Sequence, residues 1–510
     1  MRGFFGFKGL NLGRTSWLSE TQPKFGLSAQ VVRFFLMFAV LGLLTLCVAC
    51  GGAASAGAGT GIISPPPPPP PATTVTQVRI GDAPVDRVLE YSVGIGSPIV
   101  LTPSGGGANV NVTVGTPNRL ELSHMSGNQE PLTIQSVPQG TYSSAAITIL
   151  APILQFVLNP KLDPTITGAA TQTITVTFNP PLTIGTSPGV LNIDINAANS
   201  LTFDPVSGAP TGFNFGPSSF NITTNPIAAA AQEEDIDGEI EDMAGMVSSV
   251  SGTSFTMTAG QSGAQLTFAT DGTTLFDAPL TGVSSLPNQI VKVEGVTRAD
   301  GTLFAQEVEG LEANSGSEVE GYLVGVIYDA SANAMTLTMG AQDGSGNGMQ
   351  NSDIGAGFNV DVTGLAANKY RIAMGKIDTT GLTVPGPVFP FDAKSIHGGQ
   401  HVEIESLSAV PIASATITAD QVKLKQQSLT GQVTAMSGTA APRTITMTLP
   451  PDSAVLIQSK VASPSVTVFE QPGTNDRLTA INIGDTIRVR GLLFNTSTGF
   501  NMIARRIIAP

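Results

Sequence analysis

Few residues in this chain are of types that do chemistry. There are two cysteines, Cys47 and Cys50, three histidines, His124, His397 and His401, and one tryptophan, Trp17. His397-Gly-Gly-Gln-His401 has the spacing at which two imidazoles one helical turn apart share a metal ion. Gly398-Gly399 argue instead for a surface turn feeding a strand, on which Glu403 and Glu405 fall on one face. His397 and His401 are therefore weak metal candidates. Asp235-x-Asp237-Gly238 has the opening of a calcium loop. Such a loop needs further oxygen ligands and a glutamate at its twelfth position, between two helices, and no helix-forming run follows. Asp235 and Asp237 are also weak candidates, and a solvated acidic linker is the simpler reading. His124, in Leu122-Ser123-His124-Met125-Ser126, has no partner fixed by position. No Gly-x-Ser-x-Gly elbow and no Walker-type phosphate loop occurs. Carboxylate pairs of the glycosidase kind are defined by spatial separation, which a sequence does not give. No catalytic residue, no resident metal and no cofactor is expected, and ligand-binding residues stay unassigned.

Cys50 suggests another chemistry. Arg33 precedes the uncharged apolar run Phe34–Leu46. That run is shorter than the about 20 residues a bilayer span needs, but it has the length of a signal-peptide hydrophobic region. Leu46-Cys47-Val48-Ala49-Cys50 follows. This stretch resembles the bacterial lipobox, Leu-small-small-Cys, with Cys47 where leucine is usual and Val48 bulkier than usual. The resemblance implies removal of residues 1–49, lipidation of Cys50, and the membrane as a partner through that lipid anchor. With Gly51 rather than an inner-membrane retention residue next, it implies the outer membrane. An ordinary N-terminal anchor, or a secretory signal cut near Ala54 or Ala56, are the alternatives, and translation starting near Val31 would shorten the pre-sequence. Residues 50–74 form a small-residue, Pro-rich linker, expected to be disordered. Its Pro65–Pro71 run is a polyproline II spacer of about 3.1 Å per residue, which would hold the folded part off the bilayer.

The totals exclude several classes. Of 510 residues, 24 are Lys or Arg and 38 Asp or Glu. Residues 1–49 hold five basic residues and one acidic, which leaves 19 and 37, a net charge of −18. Nucleic acid is not expected as a partner, because phosphates are neutralised by clusters of Lys and Arg. After the cut only Cys50 remains, so the mature domains have no disulfide and no thiol nucleophile. With 57 Gly, 36 Pro and short Val- and Thr-rich runs between them, the chain reads as all-β.

Residues 75–226 are read as a β-sandwich. Strand candidates alternate apolar and polar residues: Val75–Ile80, Leu89–Ile95, Asn109–Val114, Arg119–Leu122, Ser143–Leu150, Gln172–Phe178 and Val190–Ile195. Asp82-Ala83-Pro84, Pro138-x-Gly140-x-Tyr142 and Leu191-Asn192-Ile193-Asp194-Ile195 with Ser200, in that order, resemble domain-of-unknown-function family 4382. That resemblance implies a sandwich on a bacterial lipoprotein and carries no activity. Residues 227–239 are the acidic linker.

Residues 240–510 repeat one unit three times, over 240–311, 316–425 and 428–510. Gly245-Met246-Val247, Gly321-Tyr322-Leu323 and Gly431-Gln432-Val433 open the copies. Phe255-Thr-Met-Thr258, Met335-Thr-Leu-Thr338 and Ile445-Thr-Met-Thr448 follow. The late strands are Ile290–Gly295, His401–Glu405 and Ile487–Gly491. The closing strands carry Ala305-Gln-Glu-Val308, Ala419-Asp-Gln-Val422 and Ala504-Arg-Arg-Ile507. Five or six short strands per copy fit a small closed barrel, OB-like in plan, since closure removes exposed edges. Gly340–Asn351 reads as a flexible insertion. The pattern resembles domain-of-unknown-function family 5666.

These readings together describe a lipid-anchored extracytoplasmic protein of the cell envelope with a non-enzymatic binding or structural role, facing the periplasm or the cell surface. An envelope protein or polysaccharide is the partner class left open. A surface adhesin or carbohydrate-binding protein is the alternative, ahead of a carboxylate-based hydrolase. Oligomeric state is not legible.

Overall fold

The computed structural model describes residues 70–508, apart from 84–87, 116–118, 124, 126–128, 160, 163–165, 206–208, 228–238, 278–279, 311–315, 330–333, 347–356, 408–415, 452, 460–463, 477, 479 and 497–498. The export segment with Cys50, most of the Pro-rich linker, His124, and Asp235 with Asp237 lie outside the described residues.

Alternation builds the first domain. In Thr73–Ala83, which starts two residues before the expected boundary, Val78 and Ile80 are fully buried. This strand runs parallel to Gly189–Asn196 and antiparallel to Gln129–Pro138, and Phe220–Pro226 completes a four-stranded sheet beyond Gly189–Asn196. The second sheet is built on the long strand Gly140–Asn159, flanked by Val88–Pro103 and Thr171–Ile184. Inward side chains of both sheets, Ile80 and Ile193 from one and Tyr91, Ile147 and Ile149 from the other, share a core. The domain is a β-sandwich. The chain crosses between sheets at Pro138-Gln-Gly-Thr-Tyr142. Gly140 takes φ = 151°, and the Tyr142 hydroxyl donates to the Pro138 carbonyl at 2.6 Å, which pins the corner.

Each of the three repeats is a five-stranded barrel. In the first, Glu239–Ser251 pairs with Ser254–Ala259, which pairs with Gln265–Ala269. The fourth strand, Ile290–Thr297, pairs with the first strand and with the fifth, Leu303–Gly310. The third strand meets the fifth in parallel, which closes the ring in the order 1-2-3-5-4-1. The third repeat does the same with Gln426–Met436, Arg443–Thr448, Ser465–Glu470, Thr486–Thr496 and Gly499–Ile508. In the second, Ser317–Asp329, Ala334–Gly346, Gly357–Asp361 and His401–Ser406 are joined by a fifth strand in two pieces, Ile417–Thr418 and Gln421–Leu424. This is the OB plan. Each interior is filled by the alternate side chains, such as Met257, Phe268 and Val293 in the first and Met447, Val468 and Val489 in the third.

The fifth strands of the first and third barrels bulge at the same place, with Gln306 and Arg505 as the extra residues, each opposite the step of the fourth strand that ends at Gly295 or Gly491. A Cβ there would lie 2.5 Å from the Phe304 carbonyl oxygen in one and 2.1 Å from that of Ile503 in the other. The bulge brings the backbones too close for any other residue.

One expectation is corrected. Residues 340–346 are not a loop but the end of the strand Ala334–Gly346, held along its length by Ser317–Asp329. Backbone pairing with a long neighbour overrides the weak strand propensity of Gly, Ser and Asp. The rest of that insertion lies in residues outside the description.

Candidate functional site: a charged joint where the barrels meet

Register places charged residues of the fourth and fifth strands on the outward face of each barrel. Glu294 stands opposite Glu307 in the first barrel, Glu403 opposite Lys423 in the second, and Arg490 opposite Arg506 in the third. Aligning the late strands on their inward residues Val293, Ile404 and Val489 makes Lys292, Glu403 and Arg488 one position and Glu294, Glu405 and Arg490 the next. Strand alternation alone would put these side chains in water. Instead, the faces turn toward one another.

Lys292 of the first barrel is buried against the second. Its ammonium pairs with Glu318, with Glu403 Oε2 at 2.5 Å and with Glu320 Oε2 at 3.4 Å. Lys423 reaches Glu403 Oε1 at 2.7 Å and, back across the joint, Glu309 Oε1 at 2.9 Å. Lys425 joins Glu403 and Glu320 at 3.3 and 3.5 Å. Burial alone would raise the Glu403 carboxyl, but the ammonium groups of Lys292, Lys425 and Lys423 outweigh it and hold Glu403 well below the usual carboxylate range. Burial first, and the Glu403 charge second, push Glu318 up to about 8. Burial would lower Lys423, yet Glu403 and Glu309 lift it above an ordinary lysine.

Where the third barrel joins, a cavity of ≈ 200 Å³ is lined by Glu294 and Glu307 of the first barrel, Lys376 and Lys423 of the second, and Arg490 and Arg505 of the third. Acidic and basic versions of one face thus meet across it. Lys376 donates to Gln306 Oε1 at 2.7 Å, a further link from second barrel to first.

The metal candidates fare differently. Among the described residues, the carboxylate oxygens of Glu318, Glu403 and Glu405 lie within 4.8 Å of one another, close enough to share a cation. Three lysine ammoniums already supply positive charge at that cluster. His397 and His401 are not part of it. The expected surface turn at Gly398-Gly399 is a turn, but a buried one, with His397 7% and His401 4% exposed. The reason is the third barrel. Gln400 Nε2 donates to the Leu493 carbonyl at 3.0 Å, and the His401 amide donates to Gln427 Oε1 at 2.9 Å. His401 Nδ1 lies 2.9 Å from the Gln426 carbonyl, and its ring is tilted 33° to that of Tyr322 with the centroids 4.8 Å apart. Burial brings His397 down to about 4, so its ring is neutral, with Nδ1 2.6 Å from the Gly398 carbonyl.

A smaller polar set joins the sandwich to the first barrel. Arg79 Nη2 donates to Thr297 Oγ1 at 2.5 Å, and the Glu121 amide donates to Gln261 Oε1 at 2.8 Å. Beside it, Glu90 is fully buried and accepts from Ser92 Oγ at 2.6 Å. Burial raises its carboxyl to about 8, Ser92 opposing.

Sequence reasoning named Glu403 and Glu405 but missed Lys292, Glu318, Glu320, Lys423 and Lys425. The available signal was the sign change at matched outward positions, from Lys292 to Glu403 at one and from Glu294 to Arg490 at the next.

The first barrel, closed by the parallel pairing of its third and fifth strands, has a counterpart among known families. Residues 244–309 match Domain of unknown function (DUF5666). The DUF5666 domain begins in the first strand of that barrel and ends in its fifth, and the two later barrels share its strand order. No curated protein matches the chain. A solved structure titled "drosophila Unr CSD456" matches at 10% identity over 54% of this chain and 98% of that chain, with a TM-score of 0.12, too low to bear on fold or function.

Proposed function

We propose that the protein is a lipid-anchored extracytoplasmic component of a bacterial cell envelope with a non-enzymatic binding or structural role, held at the outer membrane through Cys50 and facing the periplasm or the cell surface. The observation that carries the role is the joint. The buried Glu403 carboxylate is matched by Lys423 and Lys425 of its own barrel and, across the domain boundary, by Lys292 of the first, while Lys423 reaches back to Glu309. Groups arranged in this way fix domains against one another, since removing either partner strands a buried charge. A DUF5666 domain followed by two barrels of the same plan, on a sandwich resembling domain-of-unknown-function family 4382, supports a rigid platform presented beyond a Pro-rich spacer.

The test is fractionation of the full-length protein expressed in a Gram-negative host. Wild type labelled by fatty acid and recovered with outer membranes, and Cys50→Ala recovered unlabelled in the soluble fraction, is the expected pair of results. Equal fractionation of the two removes the anchor. Protease digestion of intact cells then separates surface from periplasm.

A further inference from the structure

A second cavity opens on the outer side of the first barrel. It measures ≈ 570 Å³ and shares Glu294, Glu307, Gly375 and Lys376 with the cavity of the joint. That volume is in the range of small-molecule sites, and the shared wall makes the two spaces neighbours along one path. Arg298 and Phe304 form part of its lining. The Arg298 guanidinium lies 3.8 Å above the centre of the Phe304 ring, and its Nη2 is 3.4 Å from Asp271 Oδ2. Asp271 is itself held by Thr273, whose amide and hydroxyl donate to Oδ1 at 2.8 and 2.6 Å, so it stays ionised and keeps the guanidinium in place. The Arg298 side chain is 41% exposed, and Leu275 on the same wall is 61% exposed.

The walls mix acceptors (Asp271, Glu294, Glu307) with donors (Arg298, Lys376). A polyanion would meet three carboxylates there and a polycation two cations. Hydroxyl groups both donate and accept, so they suit both kinds of wall. A pyranose ring also has a C–H face that packs on a planar or apolar surface, as the Arg298–Phe304 stack and Leu275 provide. We propose that this cleft binds a neutral, hydroxyl-rich glycan lying across Arg298 and running toward Glu294, Glu307 and Lys376. The assignment rests on the binding role proposed above and names its ligand class and its site.

The experiment is calorimetric titration of the purified full-length protein in detergent with N-acetylglucosamine hexasaccharide, with cellohexaose and with maltohexaose. Saturable binding to at least one of the three is expected. Arg298→Ala removes a charged hydrogen-bonding group and should weaken that binding about tenfold. Leu275→Asp, at an exposed position that leaves the fold intact, should weaken it about fivefold. The proposal is overturned if none of the three binds, if both variants bind as wild type does, or if tetralysine binds in preference to the glycans. Should Arg298→Ala unfold, Leu275→Asp decides. Failure here leaves the Cys50 fractionation result standing, and a soluble wild type that still binds glycan rejects only the anchor.

Discussion

The first and third barrels are the same device with opposite charge at one cross-strand pair of outward positions. Their strand order, their bulge at Gln306 or Arg505, and the parallel seam between third and fifth strands coincide. At matched positions on the outward face, however, the first carries Glu294 opposite Glu307 and the third carries Arg490 opposite Arg506. Like charges directly opposite each other destabilise an isolated pair of strands. Each barrel alone is therefore poorly served by its own face, and the difference makes sense only when the faces meet. In these repeats the inward residues specify the barrel and the outward charges specify its neighbour.

The strongest way to break the comparison is at Lys292. Lys292→Met removes the cation shared by Glu318, Glu320 and Glu403 and leaves carboxylates buried. It is expected to destabilise the protein by about 3–5 kcal/mol, read as a lower denaturant midpoint with the first barrel melting ahead of the third.

Charge exchange sharpens the comparison. Glu294→Arg with Glu307→Arg, or Arg490→Glu with Arg505→Glu, should each destabilise by about 2 kcal/mol, and the fourfold variant should recover about 1–2 kcal/mol of the summed loss. Strict additivity in the thermodynamic cycle would show that the two faces do not sense each other.

pH acts on the joint through Glu318, which goes from an ordinary carboxyl near 4.5 when unfolded to about 8 when folded. The folded state holds the extra proton between those values. Its contribution is therefore full below about 4.5 and lost as pH rises through 8, with a slope of at most about 1.4 kcal/mol per pH unit. Glu90 in the sandwich behaves likewise. Glu403, held low, works the other way and loses its contribution only in acid. The unfolding midpoint should fall between pH 5 and pH 8, and Glu318→Gln and Glu90→Gln should each remove part of that fall. An unchanged slope in Glu318→Gln would place the titration elsewhere.

The smallest effect is at Glu309, whose counterpart in the third barrel is Ile508. Its pair with Lys423 is one-third exposed on the glutamate side. Glu309→Ile should change stability by less than about 1 kcal/mol, measured by the same midpoint.

Much of this fold can be read from the chain because alternation is a local signal. Val78 and Ile80, or Met257 and Val293, declare an inward face within a few residues of sequence, and the three copies reinforce one another. The joint is not local. Alternation says that Lys292 and Glu403 point outward, but not that another barrel stands there. His397 and His401 show the same limit: the turn was legible from Gly398-Gly399, while its burial depends on Leu493 and Gln427, far along the chain. At 340–346 the composition argued for a loop, and a long partner strand prevailed. The Arg298–Phe304 stack was hidden because its two members flank a turn whose geometry the sequence does not state.

The seam between third and fifth strands has a consequence for how such a chain can grow. A unit whose ladder closes on itself offers no free row of backbone donors and acceptors at its sides. Another copy can be appended by duplication without creating a sticky border that would recruit a second molecule. What a new copy needs is only a change of a few outward charges, so that it seats against the unit before it. Length in this architecture is adjustable, and the sign of a handful of side chains sets the order in which the pieces stack.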